Sequence, residues 1–268
     1  GAPFGMVDRL ITSHHDYARQ LAVDYLRAYF SAAADHQIEI LLNNPVETFS
    51  PESLLLKAGD SPENILLILT GTVEMIRSDI GVQNTLSAGT LIGEIAALMS
   101  AASSETYRAE GFVQALLIPA RTYIDFVRRN GFLPQITQLR EIRLFLQCTR
   151  LFGEAISCPI QNELASQMEL HELPSGYRFP VEEQPGIWII YSGVVRRFIH
   201  ENAFETLGRG DFFLEESVLL DTPSLFSYEA TESVKAYLLP GEIVSYIPIV
   251  RWKLLEAYKK RMRSLLDP

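Results

Sequence analysis

Two glutamate-containing stretches repeat along the chain and carry polar side chains that could bind a ligand. Gly93-Glu94-Ile95-Ala96 has its counterpart in Glu215-Glu216, and the first glutamates of the two stretches are 121 positions apart. Ser103 and Ser224 each follow that glutamate by nine positions. Carboxylates accept hydrogen bonds, and serine hydroxyls donate or accept them. These residue types can hold a polar ligand. An anionic ligand would need a cation as well, and the serines at positions 103 and 224 do not supply one.

Other residue types that carry catalysis form no known motif. No two of the five histidines have the H-x-H spacing that a metal-binding barrel of the cupin kind uses, and adjacent His14 and His15 diverge by about 100° on a helix. The chain contains no G-x-S-x-G, Walker or G-x-G-x-x-G sequence. Cys148 and Cys158 are too few for a structural zinc site and are predicted to be packing thiols. We therefore predict no metal site and no enzymatic activity.

Composition excludes several further classes of protein. The 268 residues include 33 acidic and 23 basic side chains, for a formal charge of −10. This charge argues against direct nucleic-acid binding, because neutralising phosphates needs a basic surface. No apolar run approaches the length of about 18 residues that a membrane span needs. The N-terminal residues lack the basic and apolar regions of a secretory signal, so a cytoplasmic location is expected.

Hydrophobic periodicity predicts helices at both ends of the chain and strands between them. Residues 7–34 have apolar side chains at helical spacing, which predicts one helix, or two if Ser13 caps a second. We interpret this leader as a packing helix, with a dimerisation or partner-docking helix as the alternative. Further helices are predicted at 121–152 and 249–266. Strands are predicted at 53–57, 65–69, 72–77, 83–86, 113–118, 177–181, 187–191, 194–200, 205–207 and 234–239.

The strand-rich part of the sequence is repeated. Pro119 and Pro240 are 121 positions apart, as Glu94 and Glu215 are, and Leu69-Thr70-Gly71 answers Tyr191-Ser192-Gly193. These residues recur in the same order and about 121 positions apart, which indicates two copies of a unit of about 110–120 residues, a common domain size. The predicted organisation is a helical leader at 1–40, a first domain with linker helices at 41–148 and a second domain with a terminal helix at 149–268.

The first copy resembles the cyclic-nucleotide-binding domain family. The resemblance rests on residues 51–60, on Ile68-Leu69-Thr70-Gly71-Thr72-Val73, and on Gly89 followed by Ile92-Gly93-Glu94-Ile95-Ala96. The second copy is similar more loosely, through residues 190–195 and Gly210-Asp211-Phe212-Phe213-Leu214-Glu215-Glu216. The resemblance implies a mainly β fold with flanking helices: two tandem β-rolls, each a jelly roll or double-stranded β-helix, with a helical leader and helical linkers.

The resemblance also implies where a ligand would bind. In the family, a short segment here called the cassette binds the ligand: its glutamate takes the ribose hydroxyl, and an arginine about nine residues later pairs with the cyclic phosphate. The first cassette would therefore use Gly93, Glu94, Ile95, Ala96, Ser103 and Ser104, and the second, more weakly, Glu215, Glu216 and Ser224. Serine stands at both arginine positions. Nearby Arg108 matches a family position whose side chain points away from the pocket, so we do not expect it to replace the missing arginine in binding the phosphate.

Three outcomes are open for these degenerate cassettes. Neither pocket binds a nucleotide and the domains serve as interaction modules; or a pocket binds an atypical ligand; or the first domain is a genuine sensor of cyclic AMP, cyclic GMP or a cyclic dinucleotide. No cofactor is required, and a cyclic nucleotide is the ligand that the resemblance allows. A protein partner or self-association is expected. The candidate lids are the helix through 136–146 and the basic terminal helix through 252–265.

Overall fold

The computed structural model describes residues 3–77, 81–149, 151–152, 158–181, 186–220 and 222–266. The chain divides into an N-terminal unit, Gly1–Thr137 with Ser157–Pro159, and a C-terminal unit, Gln138–Ile156 with Ile160–Pro268. The main break between the units lies after Thr137, about ten residues before the predicted domain boundary at residue 148, which stays a prediction.

The N-terminal unit contains two four-stranded antiparallel sheets and flanking helices. The sheets have the strand orders β1-β8-β3-β6 and β2-β7-β4-β5. The elements are α1 (Pro3–Tyr29), α2 (Asp35–Leu42), β1 (Val46–Phe49), β2 (Leu54–Leu56), β3 (Asn64–Thr70), β4 (Val73–Arg77), β5 (Gly81–Leu86), β6 (Leu91–Ile92), α3 (Glu94–Leu98), β7 (Thr106–Ala109), β8 (Val113–Pro119) and α4 (Ala120–Arg129). Helix α5 (Leu133–Gln147) begins in this unit and continues into the next.

The C-terminal unit repeats this element order. Its sheets have the strand orders β13-β10-β15-β9 and β12-β11-β14. The elements are α6 (Cys158–Gln167), β9 (Glu169–Leu173), β10 (Gly186–Ser192), β11 (Val195–Ile199), β12 (Asn202–Leu207), β13 (Phe212–Phe213), α7 (Glu215–Leu220), β14 (Ser227–Ala230), β15 (Val234–Pro240), α8 (Gly241–Tyr246) and α9 (Pro248–Leu266). The predicted fold class, two β-rolls with flanking helices, is confirmed.

One strand in each unit, β3 and β10, has an unbroken apolar central run and lies between two cores. In β3, Ile65 and Leu67 pack in a cluster with helix residues, while Leu66 and Ile68 pack in a second cluster formed largely by strand residues. The same alternation occurs in β10, where Ile187 and Trp188 belong to different clusters. Side chains alternate between the faces of a strand, so a strand covered on both faces is apolar throughout.

The leader forms a single helix that packs on its own unit. Ala18, Ala22, Leu26 and Phe30 recur every four residues and are almost fully buried. They join the cluster that also contains Tyr123 of α4. Helix α1 runs without a break through residue 13, so no second helix begins there. From residue 16 onward, where side chains are described, the leader packs on its own unit as predicted, and the dimerisation or partner-docking alternative stays a prediction.

Two equivalent glycines show that the sequence repeat is a structural one. Gly71 and Gly193 follow β3 and β10 with φ of +90° and +95°. A Cβ at Gly71 would lie 2.4 Å from the Phe112 carbonyl oxygen, and one at Gly193 would lie 2.5 Å from that of Ser233. Only glycine fits both the left-handed backbone and the close approach.

Two expectations need correction, and one strand was not predicted. The predicted strand at 177–181 is wrong, because only Arg178 forms a bridge there, to Glu229. The strand that pairs with β15 is instead β9, whose residues do not alternate clearly between apolar and polar. Cys148, expected to be a packing thiol inside a helix, is exposed and follows the last residue of α5.

Candidate functional site

The first cassette is a tight turn into a five-residue helix. Gly93 adopts φ of +86°, and Glu94, Ile95 and Ala96 form the first turn of α3. Ser103 is buried and lies in the loop before β7, whereas its neighbour Ser104 is exposed. The turn conformation agrees with a cassette that presents backbone N–H groups at a helix start.

Ser103, at the predicted arginine position, is engaged by its own chain. Its N–H donates to the Asp60 carbonyl at 2.9 Å, and its carbonyl accepts from Gly59 N–H at 2.8 Å. Its hydroxyl donates to the carbonyl of Glu105 at 2.7 Å. The residue therefore ties the cassette loop to the turn between β2 and β3, and its short side chain brings no positive charge.

Glu94 is held by two tyrosines from the surrounding helices. Its buried carboxylate accepts a hydrogen bond from the Tyr29 hydroxyl of α1 at 2.8 Å and another from the Tyr123 hydroxyl of α4. Burial, and then the nearby Glu94 carboxylate, raise the pKa of Tyr123 well above its usual range. Tyr123 thus stays protonated and remains a donor. Both tyrosines were missed by sequence reasoning, which took Tyr29 as an apolar member of the leader stripe.

The nearest cation in the sequence does not serve the first cassette. Arg108 lies on β7, and its Nη2 and Nε donate to Oε2 of Glu74 on the neighbouring strand β4, at 2.5 and 3.1 Å. A guanidinium committed to this pair is not directed to the cassette. The geometry agrees with the expectation that Arg108 does not replace the missing arginine.

The second cassette keeps the turn of the first although its sequence differs. Leu214 replaces the glycine, yet its φ is +68°, in the same left-handed region. Such a conformation costs a non-glycine residue roughly 1–2 kcal/mol. The buried Leu214 side chain packs in the apolar cluster of the C-terminal unit, which offsets this strain.

The terminal helix places a cation on the second cassette. Glu215 and Glu216 are both buried, and Nη1 of Arg261 on α9 donates to Glu215 Oε1 and lies 3.9 Å from Glu216 Oε2. Burial raises the pKa of the Glu215 carboxyl to about 7; Arg261 acts in the opposite direction, and the neighbouring Glu216 adds to the rise.

Glu216 connects the cassette helix to the sheet. Its Oε1 accepts a hydrogen bond from the Ser224 hydroxyl and another from the Tyr228 hydroxyl of β14, the latter at 2.8 Å. The Ser224 oxygen in turn accepts the Phe226 N–H at 3.1 Å. Glu215, Glu216 and Ser224, predicted as site residues, do lie in one cluster. Like Ser103, Ser224 interacts with its own chain.

A buried arginine completes this cluster and was not foreseen. Arg197 of β11 is 0% exposed; its Nε donates to the Tyr228 hydroxyl at 3.3 Å and its Nη1 to Glu205. Its guanidinium carbon lies 5.4 Å from the ring centroids of both Phe226 and Tyr228. The sequence could have indicated its burial, because side chains alternate between the two faces of a strand. Arg197 therefore shares a face with Val195, which belongs to the core.

The N-terminal unit has no counterpart of this arginine. Arg197 lies opposite Tyr228 in the pairing of β11 with β14. At the equivalent place in the pairing of β4 with β7, Met75 lies opposite Tyr107. The two cassettes therefore differ in charge as well as in sequence, and the buried cations belong to the second.

The charges of the second cluster are almost balanced without any ligand. Two guanidinium groups, of Arg197 and Arg261, contact the three carboxylates of Glu205, Glu215 and Glu216. With every group ionised the sum is −1. A cyclic phosphate would add charge of the sign already in excess, and a buried charge needs a partner of opposite sign.

A cavity of about 610 Å³ lies beside the cluster in the C-terminal unit. Helix α9 forms one wall, and β12 with the turn before β13 forms the other. Side chains of the lining include Phe204, Phe212, Trp252, Lys260 and Arg261. Among the described residues, no three histidine, cysteine or acidic side chains are placed to hold a metal ion. No helix in the described part of the chain is both long and apolar enough to cross a membrane.

Comparison with known proteins identifies the fold. Residues 46–130 match the family model of the cyclic nucleotide-binding domain. A cGMP-dependent protein kinase of Eimeria tenella is 26% identical over 211 residues, which are 75% of this chain; the chain spans only 20% of that kinase.

Solved structures extend this likeness to both units. The cAMP-bound PfPKA-R structure matches with a TM-score of 0.57 and 16% identity, covering 92% of this chain and 90% of that one. The regulatory subunit of a cAMP-independent protein kinase A from Trypanosoma brucei gives a TM-score of 0.54, 16% identity and 91% coverage of both chains. The regulatory subunit of a cAMP-independent protein kinase A from Trypanosoma cruzi, solved with guanosine bound, gives a TM-score of 0.51 and 18% identity, and the match covers 92% of both chains. These matches confirm the predicted fold, two tandem domains of the cyclic-nucleotide-binding kind.

Proposed function

We propose that the chain is a non-catalytic regulatory module of the cytoplasm. Its two cyclic-nucleotide-binding-like domains act through contacts with a protein partner, or through an atypical ligand, and not by pairing a cyclic phosphate with an arginine. The proposal is supported by one feature that both cassettes share: donors of the same chain occupy the cassette glutamate. Tyr29 and Tyr123 hold Glu94, and Arg261 holds Glu215.

The missing arginine weakens phosphate binding by a large factor. A hydrogen bond to a charged group contributes roughly 1.5–3 kcal/mol, and an arginine fork makes two. Because about 1.4 kcal/mol corresponds to a tenfold change in affinity, serine at this position costs roughly two to four decades. Ser103 and Ser224 each interact with their own loop or cassette helix, which leaves neither hydroxyl directed to a ligand.

The comparisons support a protein kinase as the partner class. The matched relatives are a protein kinase and regulatory subunits of protein kinase A, two of which are described as cAMP-independent. The Trypanosoma cruzi subunit was solved with guanosine, which carries no phosphate. An uncharged nucleoside is accordingly the atypical ligand to test beside cyclic nucleotides.

A thermal-shift experiment on the full chain tests the proposal. Cyclic AMP, cyclic GMP and guanosine are added at millimolar concentration to the wild type, to Ser103→Arg and to Ser104→Arg. Ser104 is the exposed neighbour of Ser103, so its variant adds the same charge one residue away from the position where the family has its arginine. We expect no shift of the wild type with either cyclic nucleotide. With Ser103→Arg, and not with Ser104→Arg, we expect a rise in Tm if the pocket is otherwise open.

The outcomes separate the alternatives. A ligand with micromolar affinity adds about 4 kcal/mol of stability at a thousandfold excess, which raises Tm by several degrees. Such a shift of the wild type with a cyclic nucleotide contradicts the proposal and establishes a sensor. A shift with guanosine alone selects the atypical ligand. No shift with any of the three compounds selects protein contacts.

A further inference from the structure

The basic face of the terminal helix is uneven in its exposure. Arg251, Lys259, Lys260 and Arg263 are exposed to solvent, whereas the side chain of Arg261 is 13% exposed. Arg261 alone among these five is turned onto the cassette helix α7, where it contacts both glutamates. One residue of α9 thus connects the helix to the place where a ligand would bind.

We propose that Arg261 is a latch that holds the terminal helix on the second cassette without a ligand. In the family to which the first copy is similar, a bound nucleotide closes the cassette and a helix folds over it. In this chain the cation comes from the helix itself and the anion from the cassette. This inference rests on the proposed function, since it explains how the second domain stays closed when no nucleotide is bound.

The contacts around Arg261 favour the state in which α9 is packed on the second cassette. Glu215 and Glu216 are adjacent buried carboxylates, and like charges at this distance repel each other. Arg261 neutralises part of this charge at a place where the buried carboxylates are not solvated by water. Leaving two buried carboxylates without that partner is costly, so the cluster itself opposes release of the helix. Val250 and Leu254 on the same helix are buried, which adds an apolar contribution to the same arrangement.

The latch is connected to the interior of the sheet. Glu216 accepts a hydrogen bond from Tyr228, and Tyr228 accepts one from Arg197. Glu205, the partner of Arg197, lines the same cavity as Arg261. A change in α9 is therefore coupled to β11, β12 and β14 through a continuous set of polar contacts. The exposed face of α9 is the part of the unit whose position the latch controls.

Hydrogen exchange measured by mass spectrometry tests the latch on the full chain. The variants are Arg261→Gln, Arg261→Lys and the exposed-site control Arg263→Gln. Arg261→Gln is expected to speed amide exchange in residues 250–266 at least tenfold, which corresponds to about 1.4 kcal/mol of local opening free energy. Arg261→Lys keeps one positive charge but lacks the guanidinium group that contacts both glutamates, and it is expected to speed exchange in the same peptides by a smaller factor. Arg263→Gln is expected to leave them unchanged.

Two results would overturn the proposal. If peptides of α9 in Arg261→Gln exchange at the wild-type rate, the latch proposal is wrong. If Arg261→Gln fails to fold, Arg261→Lys provides the test, and wild-type exchange in that variant overturns the proposal equally. Failure of the latch is distinct from failure of the proposed function, because the first is measured as exchange without ligand and the second as a shift on adding a cyclic nucleotide.

Discussion

The two cassette glutamates have equivalent positions in the repeat but different partners. Glu94 accepts hydrogen bonds from two neutral hydroxyl groups, and Glu215 contacts a guanidinium. Each arrangement gives a buried carboxylate at least one donor, and burial without any donor would be strongly unfavourable. The partners come from helices that are distant in sequence from the cassette, so each glutamate also fastens a helix to its sheet.

Removing one tyrosine hydroxyl should destabilise the N-terminal unit. In Tyr123→Phe, Glu94 loses a buried donor while the ring remains, and the expected loss is about 1–3 kcal/mol. This corresponds to a fall in Tm of several degrees for a unit of this size. Differential scanning calorimetry measures the effect. Tyr17→Phe is the matched control because Tyr17 is 60% exposed; equal Tm values for the two variants would contradict the role given to Tyr123.

The raised pKa of Glu215 predicts a pH dependence in the C-terminal unit. Its folded pKa of about 7 lies above the ordinary value of 4.5, so the folded unit binds more protons between these pH values. The contribution of this group to the free energy of unfolding is thus full below pH 4.5 and is lost as pH rises through about 7. Glu215→Gln should flatten this dependence.

Tryptophan fluorescence can follow this effect without interference from the other unit. Trp188 and Trp252 are the two tryptophans of the chain, and both lie in the C-terminal unit. Urea unfolding at pH 5 and pH 8 gives the change in unfolding free energy for the wild type, Glu215→Gln and the exposed-site control Glu256→Gln. An unchanged pH dependence in Glu215→Gln would show that Glu215 does not titrate as described.

Sequence reasoning located the cassettes but not the groups that occupy them. The resemblance to the family, with its spacing counted from the cassette glutamates, led to Ser103 and Ser224, and the same resemblance implied the outward direction of Arg108. Arg197 did not, because an arginine on a strand is usually exposed, and only its contacts with Glu205 and Tyr228 make its burial possible. Tyr29 and Arg261 come from distant helices, and no local pattern encodes which side chain reaches a given carboxylate.

At the scale of elements, strands with strong apolar character were predicted well. Strands β3, β10 and β15 lie within a residue or two of their expected bounds. The short cassette helices α3 and α7 were not predicted as helices, because five or six residues show no helical period. The error at 177–181 arose because the pairing of this segment with β14 is limited to one bridge, Arg178 to Glu229, although its aromatic residues Tyr177 and Phe179 pack in the core.

The turn after β3 should tolerate no side chain. Gly71→Ala places a Cβ 2.4 Å from a carbonyl oxygen, while Gly59→Ala, at nearly the same φ, meets no atom within 4 Å. Both variants carry the strain of a left-handed alanine, so their difference isolates the clash. Overpacking typically costs about 1–3 kcal/mol. Thermal melts followed by circular dichroism should place Gly71→Ala several degrees below Gly59→Ala, and equal Tm values would contradict the close approach.

At the scale of the whole molecule, two copies of one unit account for most of the chain length. Ion pairs inside the second unit hold the buried arginines that the net charge does not reveal. The formal charge of −10 indicates an acidic chain, but it does not reveal that the second cassette contains two cations. Both are committed to carboxylates of the same unit. The first cassette has neutral donors around Glu94 and serine at the arginine position. In the described part of the chain, the arginines near the two cassettes, Arg108, Arg197 and Arg261, each contact a carboxylate of their own unit before any phosphate arrives.

Isothermal titration calorimetry of the wild-type full chain with cyclic AMP tests this conclusion most directly. The account predicts no saturable heat up to millimolar nucleotide, because the affinity lost with the arginine fork is roughly two to four decades. Saturable binding with a micromolar Kd, at one or two sites per chain, would contradict the account.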